Sequence, residues 1–222
     1  MSCFSGFLPV VASNFNFNLR MTELPPTNLK AVILCGGQSQ RMGSDKGLLA
    51  PNGTAWTSVL HQALTSLSLP VYVSLRADQQ QAYQPLVEPE KLILDREWEN
   101  VAGPLVGILS AAQALPSHHL LVVPCDMPEL RPPVFSLWLT AYQEHMTTHH
   151  AVISRTTQRW QPLCGIYHAH GLALLLERYE QGQLHDQSMH AIVESVLTTF
   201  PVDIPPSLAP QFANYNTPDE LS

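Results

Sequence analysis

A short apolar run that ends at two glycines and a basic loop constrains this chain more than any other feature. Residues 31–34 have the composition of a buried strand, and Gly36 and Gly37 follow almost at once. Glycine lets the backbone approach an anion closely, so the N–H groups of such a loop can bind phosphate. Arg41 can donate two hydrogen bonds to phosphate oxygens, and Lys46 adds a point charge. The segment therefore predicts a strand followed by a phosphate-binding loop.

The spacing within this loop differs from both common phosphate-binding motifs. A Walker A loop places its lysine directly after its last glycine, whereas Lys46 lies three positions beyond Gly43. The dinucleotide fingerprint G-x-G-x-x-G is absent. Neither a P-loop NTPase nor a Rossmann dehydrogenase is indicated.

The rest of the chain alternates short apolar strands with amphipathic helices. Strands are predicted at residues 31–34, 71–75, 91–94, 120–124, 151–154 and 163–167, and helices at residues 57–67, 104–115, 133–144, 171–180 and 188–196. This alternation predicts a three-layer, Rossmann-like α/β fold, with a mostly parallel sheet and helices on both faces. Ligands bind at the carboxyl ends of strands in such sheets. We therefore expect the glycine loop, Asp95 and Asp126, which each follow a predicted strand, to converge.

The charge balance argues against a nucleic-acid-binding protein. The chain has 11 Lys and Arg against 18 Asp and Glu, which gives a net charge of −7. Nucleic-acid-binding proteins carry a basic patch or stripe instead. No apolar run approaches the length of a transmembrane helix, so we also expect no membrane contact.

The cysteines and histidines show no metal-binding spacing. None of the four cysteines forms a C-x-x-C pair, which favours small core residues in a reducing cytoplasm. Several histidines are paired or nearly so, and we expect them to be surface residues rather than metal ligands. These are His118 and His119, His149 and His150, and His168 and His170.

The N-terminal segment lacks the pattern of a folded element. Residues 4–12 are apolar, but no Lys or Arg precedes them, so the segment is a poor signal peptide. We predict that residues 1–28 are a disordered extension, with an over-long start assignment as the alternative for residues 1–20. Residues 29–222 are predicted to form a single domain.

Asp126 follows a predicted strand and lies between Pro124 and Pro128. An aspartate in this position can simply cap the next helix. It can equally bind Mg²⁺, which prefers one or two carboxylates together with phosphate oxygens. The residues alone leave both readings open.

Five ordered blocks, from about residue 29 to the C-terminus, resemble one enzyme family. The first reads L-x-G-G-x-x-x-R-M-G-x-D-K over residues 34–46, and the others are P-C-D-x-P around Asp126, G-P-L-x-G from Gly103, Q-P-L-x-x-x-Y from Gln161, and N-x-N-T-P from Asn214. Together they resemble the nucleotidyltransferases that attach a nucleotide to molybdopterin, most closely the molybdenum cofactor guanylyltransferases. The resemblance implies a fold of the nucleotide-diphospho-sugar transferase type.

The resemblance also implies roles for individual residues. Arg41, Lys46 and Asp126 would be catalytic, and Asp126 would carry Mg²⁺. The implied nucleotide-binding residues are Leu34, Cys35, Gly36, Gly37, Lys46, Ser74, Asp95, Gly103 and Asp126. Asn214 and Asn216 would bind the acceptor, whose contacts we expect around residues 183–188 and 214–216. Three positions depart from the family pattern. Cys35 replaces the usual Ala, Ser74 a frequent Asn and Gln187 a frequent Arg.

The implied reaction is the transfer of GMP from GTP to a molybdopterin-type cofactor, with release of pyrophosphate. Gly36 and the Asp45-Lys46 pair favour guanine over cytosine, and we interpret the absent Cβ of Gly36 as room for a purine. The alternatives are a cytidylyltransferase or sugar-phosphate nucleotidyltransferase, and a nucleotide-binding protein without turnover. Transient contacts with proteins of cofactor biosynthesis or with molybdoenzymes are also expected.

Overall fold

A seven-stranded sheet forms the centre of the computed structural model, which describes residues 28–37, 45–157 and 159–215. The strands are β1 (Leu29–Leu34), β2 (Val71–Leu75), β3 (Leu92–Leu94), β4 (His119–Pro124), β5 (Ala151–Thr156), β6 (Arg159–Tyr167) and β7 (Thr199–Asp203). The helices are α1 (Trp56–Thr65), α2 (Gln80–Tyr83), α3 (Pro104–Ala114), α4 (Pro132–His145), α5 (Ala169–Glu180) and α6 (Met189–Ala191). The predicted extension over residues 1–28 lies outside the described residues, apart from Asn28.

The sheet has the strand order β3-β2-β1-β4-β6-β5-β7 and is mostly parallel, as the sequence predicts. Strands β1, β2, β3 and β4 run parallel, and β5 pairs in parallel with β7. Only β6 runs against both of its neighbours. The carboxyl ends of the first four strands therefore meet at one edge of the sheet.

The strands of the sheet alternate their side chains between two apolar layers, as the two-residue period of a strand requires. Along β1, Ala31 and Ile33 pack with residues of α1 and α4, whereas Val32 and Leu34 pack with residues of α3 and α5. Both layers are buried, which explains why β1 and β4 read as continuous apolar runs in the sequence. This arrangement is the three-layer fold that the sequence predicts.

Most predicted elements agree with the structure to within a few residues. Strand β7 and the short helix α2 were not predicted. The helix predicted over residues 188–196 is one short α-turn, Met189–Ala191, followed by a π-turn, Ile192–Val196. Within the described residues, the helices are all too short or too polar to cross a membrane.

The expectation that the paired histidines lie at the surface is wrong for two of them. His119 and His168 are buried, and each packs against the ring of Tyr142, with centroid distances of 5.1 and 5.3 Å. His168 Nδ1 donates a hydrogen bond to the carbonyl of His149. Aromatic packing at the end of the sheet remote from the glycine loop buries these imidazoles.

Burial of His168 predicts that the protein loses stability in mild acid. The pKa of His168 is lowered from 6.5 to about 4, mainly by burial and also by the nearby His119, His170 and His149, although the hydrogen bond to the His149 carbonyl raises it. Between these two pH values the unfolded chain binds a proton that the folded chain does not. The free energy of unfolding, measured by urea titration, should therefore fall by roughly 3 kcal/mol as the pH drops from 6.5 to 4.

A matched pair of variants tests this assignment. His168→Gln should flatten the dependence of unfolding free energy on pH, whereas His185→Gln, at an exposed position, should leave it unchanged. Equal slopes for both variants would contradict the assignment.

Candidate active site

A pocket of about 450 Å³ opens where the carboxyl ends of β1, β2, β3 and β4 meet. It is lined by every predicted site residue that the structure describes. These are Leu34, Cys35, Gly36, Gly37, Lys46, Ser74, Asp95, Gly103, Asp126 and Asn214. Arg41 and Asn216 lie outside the described residues. The predicted convergence of the three strand ends is confirmed, while the role of each residue stays a prediction.

Arg76, directly after β2, fixes the start of the glycine loop. Its guanidinium donates hydrogen bonds to the carbonyl oxygens of Gly36 (3.1 Å) and Gly37 (2.9 Å). Asp78 holds the same guanidinium through Nε (3.0 Å) and Nη2 (3.1 Å), and these bonds lower the pKa of Asp78. The sequence analysis missed Arg76 because no local motif connects it to glycines about 40 positions away.

Asp95 packs directly over Gly36. A Cβ on Gly36 would lie 1.8 Å from Asp95 Oδ2, so any larger residue would displace the carboxylate. Ser74 Oγ donates to Asp95 Oδ1 at 2.6 Å. Burial raises the pKa of Asp95, although Ser74 and the charge of Arg76 act in the opposite direction. The absent Cβ of Gly36 thus makes room for the Asp95 carboxylate, which corrects our interpretation that it makes room for a purine.

Lys46 is presented by a short 3₁₀ turn, Lys46–Leu48, that Asp45 caps. Asp45 accepts hydrogen bonds from the backbone of Gly47 (3.0 Å), from Gln79 (2.5 Å) and from Tyr83 (2.7 Å). Gln79 also donates to the carbonyl of Cys35 at 3.1 Å, which links the turn to the glycine loop. Asp45 therefore acts by holding Lys46 in place.

Position 47 can only be glycine in this arrangement. A Cβ there would lie 2.3 Å from the hydroxyl of Tyr83 and 2.6 Å from Oγ1 of Thr57. Thr57 itself donates to the carbonyl of Gly47 at 2.8 Å. The close contact of these side chains with the turn explains why a glycine follows Lys46.

Lys46 and Asp126 form an ion pair in the pocket, with 3.2 Å between Nζ and Oδ2. Both side chains are mostly buried, with 16% and 20% of their surface exposed. The pair brings a cation and a carboxylate together beside the glycine loop. When a triphosphate and a divalent cation bind, the lysine of such a pair can turn to a phosphate oxygen and the aspartate to the cation.

Asp126 is the candidate metal ligand. Within the described residues, no three His, Cys, Asp or Glu side chains form a cluster that could hold an ion on their own. Mg²⁺ needs only one or two protein carboxylates when it takes its remaining ligands from phosphates and water. Asp126, which lines the pocket at the end of β4, fits that kind of site.

A second wall of the pocket comes from β6, α6 and the C-terminal segment. It contains Gln161, Met189, His190 and Asn214, but none of residues 183–188, where acceptor contacts were expected. The backbone N–H of Tyr215 donates to the carbonyl of Asp126 at 3.1 Å. This bond places the C-terminal segment next to the ion pair.

Three cysteines line the pocket, and all three are buried. A hydrogen bond with Cys35, together with burial, raises the pKa of Cys125, and burial raises the pKa of Cys164. Both groups therefore remain thiols at neutral pH and are poor nucleophiles. The arrangement suits binding and charge neutralisation of an anionic substrate rather than covalent catalysis by cysteine.

The fold is of the nucleotide-diphospho-sugar transferase type, with its pocket at the carboxyl ends of the parallel strands. The sequence pattern of the MobA-like NTP transferase domain matches residues 31–199. This match spans most of the chain, which therefore belongs to the MobA-like NTP transferase family.

Individual relatives agree with this assignment. The chain is 31% identical to a probable molybdenum cofactor guanylyltransferase of Nostoc sp. (strain PCC 7120 / SAG 25.82 / UTEX 2576), over 70% of this chain and 73% of that protein. It is 29% identical to a protein of the same name from Trichormus variabilis, over 88% of this chain and 89% of that protein. The crystal structure of molybdopterin-guanine dinucleotide biosynthesis protein A from Archaeoglobus fulgidus superposes with a TM-score of 0.67 at 22% identity, covering 86% and 94% of the two chains.

The packing of Asp95 on Gly36 predicts different effects of alanine at two adjacent glycines. Gly36→Ala should displace the Asp95 carboxylate and break its bond with Ser74, at a cost of about 1–3 kcal/mol in unfolding free energy. A Cβ on Gly37 meets nothing within 4 Å, so Gly37→Ala should leave the stability of the ligand-free protein nearly unchanged. Urea unfolding of both variants measures the difference.

A second substitution identifies the cause of the loss. Ser74→Ala should destabilise the wild-type protein but add little to Gly36→Ala, since the bond to Asp95 is then already broken. Additive losses would contradict this explanation.

Proposed function

We propose that this protein transfers GMP from GTP to the phosphate group of a molybdopterin-type cofactor and releases pyrophosphate. The observation that carries the proposal is the Lys46–Asp126 ion pair, which lies between the glycine loop and a polar second wall. A triphosphate needs cations along its phosphate chain, and its metal needs a carboxylate. Membership of the MobA-like family and the names of the relatives support the choice of reaction.

The nucleotide would occupy the half of the pocket formed by β1, β2 and β3. Backbone N–H groups of the loop at Gly36 and Gly37 would bind phosphate oxygens, with Arg41 and Lys46 neutralising their charge. Gly103, at φ 69°, is the N-cap residue of α3 and lines the same half of the pocket, so the backbone can approach the ligand closely there.

Asp95 supports the choice of guanine. Its carboxylate can only accept hydrogen bonds, and Ser74 already donates to one of its oxygens. Guanine presents two adjacent donors, N1–H and the N2 amino group, whereas the Watson–Crick edge of cytosine has a single donor group. A carboxylate in the base-binding half therefore complements guanine better than cytosine.

The chemistry requires alignment and charge neutralisation more than proton removal. A phosphate oxygen of the acceptor attacks the α-phosphorus of GTP, the new P–O bond forms, and the bond to the bridging oxygen of pyrophosphate breaks. The acceptor phosphate is largely ionised at neutral pH, so no strong general base is needed. Lys46 and Arg41 would stabilise the charge that builds up on the leaving pyrophosphate.

Asp126 would hold Mg²⁺ at the phosphate chain. When bound, the metal supplies further charge neutralisation at the phosphates. Lys46 would then leave Asp126 and bind a phosphate oxygen, which keeps both charges paired.

We also propose that the reaction takes place in the cytoplasm. The three described cysteines are buried and free, which suits a reducing compartment. Since the product is a cofactor for other proteins, transient contacts with cofactor-biosynthesis proteins or molybdoenzymes would complete its transfer.

Removing either member of the ion pair should abolish most of the activity without unfolding the protein. Lys46→Ala and Asp126→Ala should each lower kcat by about 100-fold or more, because each removes charge stabilisation from the transition state. Pyrophosphate release from GTP and molybdopterin measures kcat, and chelation of divalent cations should have a similar effect.

The matched control removes a carboxylate from an ion pair outside the pocket. Asp203 binds Arg155 at 2.7 Å on the outer strands, and Asp203→Ala should retain wild-type kcat. Wild-type turnover in either Lys46→Ala or Asp126→Ala would contradict the proposed site.

The base preference predicts selective stabilisation by nucleotide. With Mg²⁺ present, GTP should raise the melting temperature and CTP should not, and Asp95→Asn should weaken GTP binding about 10- to 100-fold because one acceptor is replaced by a donor. Thermal shift and calorimetric titration measure both effects. Equal shifts with GTP and CTP would remove the preference for guanine.

A further inference from the structure

His190 gives the second wall of the pocket a group that can carry positive charge. The other ionisable acid and amine side chains that line the pocket within the described residues are Lys46, Asp95 and Asp126. Asp95 lies against the glycine loop, and Lys46 and Asp126 form the ion pair. An anion that binds at the second wall would therefore meet His190.

The turn that carries His190 is fixed on its N-terminal side. Asp186 Oδ1 accepts a hydrogen bond from the backbone of Ser188 at 2.9 Å, and Ser188 Oγ accepts one from the backbone of Ala191 at 3.2 Å. Met189 is buried in the apolar layer, whereas His190, the next residue, is exposed and lines the pocket. The imidazole is thus presented by an anchored turn.

The C-terminal side of the same turn is fixed by a π-turn. The backbone N–H of Leu197 donates to the carbonyl of Ile192 at 2.9 Å, five positions earlier, and Ile192 and Val193 are buried. Such turns are rare and occur frequently at functional sites. Here the π-turn begins two residues after His190 and holds its segment against the core.

Two amides complete the polar part of this wall. Gln161 lines the pocket from β6, and its amide nitrogen donates to Thr156 at 2.8 Å, which orients the group. Asn214 lies next to Tyr215, whose backbone is bound to Asp126. An amide and an imidazole can both donate hydrogen bonds to phosphate oxygens, and the imidazole does so most strongly when it is charged.

We propose that His190, together with Asn214 and Gln161, binds the phosphate group of the acceptor and thereby selects phosphorylated acceptors. This inference rests on the proposed function, since it assigns the second wall to the acceptor. His190 would donate to a phosphate oxygen that does not attack, and it would act on acceptor binding alone. No covalent or proton-transfer step is assigned to it.

Three variants of the full chain test the proposal. His190→Gln replaces the imidazole with an uncharged amide, His190→Arg replaces it with a guanidinium cation, and His185→Gln removes an exposed histidine nearby that does not line the pocket. The KM for molybdopterin should rise about tenfold in His190→Gln, while the KM for GTP stays within about twofold. His190→Arg should retain a low KM for molybdopterin, and His185→Gln should match the wild-type protein.

A binding measurement separates this proposal from the proposed function. Fluorescence titration with molybdopterin, and with the same compound after removal of its phosphate, needs no turnover. His190→Gln should weaken binding of the phosphorylated compound only. If the wild-type protein binds molybdopterin but releases no pyrophosphate, the proposed function fails while the role of His190 is still tested. Unchanged affinity for molybdopterin in His190→Gln, or equal losses for both compounds, would overturn the role of His190.

Discussion

The position of Lys46 in the pocket depends on the hydrogen bonds that Asp45 accepts. Gly47, Gln79 and Tyr83 donate to this one carboxylate, from the turn itself and from the segment that follows β2. Gln79 in turn binds the backbone just before the two loop glycines. The segment that follows β2 therefore sets the position of Lys46 relative to the glycine loop, because it is bonded both to Asp45 and to the backbone of Cys35.

From Lys46 the arrangement extends across the sheet to the second wall. Lys46 pairs with Asp126 at the end of β4, and the backbone of Asp126 accepts the bond from Tyr215 in the C-terminal segment. The half of the pocket that we propose for the nucleotide and the half that we propose for the acceptor are thus joined through one ion pair. In the proposed reaction the sheet would hold two substrates close together, because each half of the pocket is fixed to a different strand end.

The sequence correctly predicts that the glycine loop, Asp95 and Asp126 meet. Parallel strands place their carboxyl ends at one edge of the sheet, so this prediction does not depend on the exact bounds of each strand. The sequence cannot reveal the role of Arg76, because this side chain binds the backbone carbonyl groups of Gly36 and Gly37. Every residue has such a carbonyl, so no residue type marks the partners. Nor does the sequence reveal the burial of His168, which depends on the ring of Tyr142 from another helix. Strand β7 was missed because it contains Pro201 and begins with three consecutive partly buried positions, which weaken its pattern.

The most direct test of the account is the mass of the product formed from GTP, Mg²⁺ and molybdopterin. The account predicts a single product with the mass of molybdopterin joined to GMP, together with one pyrophosphate for each molecule formed. It also predicts that replacing GTP with CTP yields little product. An equal yield from CTP, or bound GTP that is recovered intact while the acceptor is present, would contradict it.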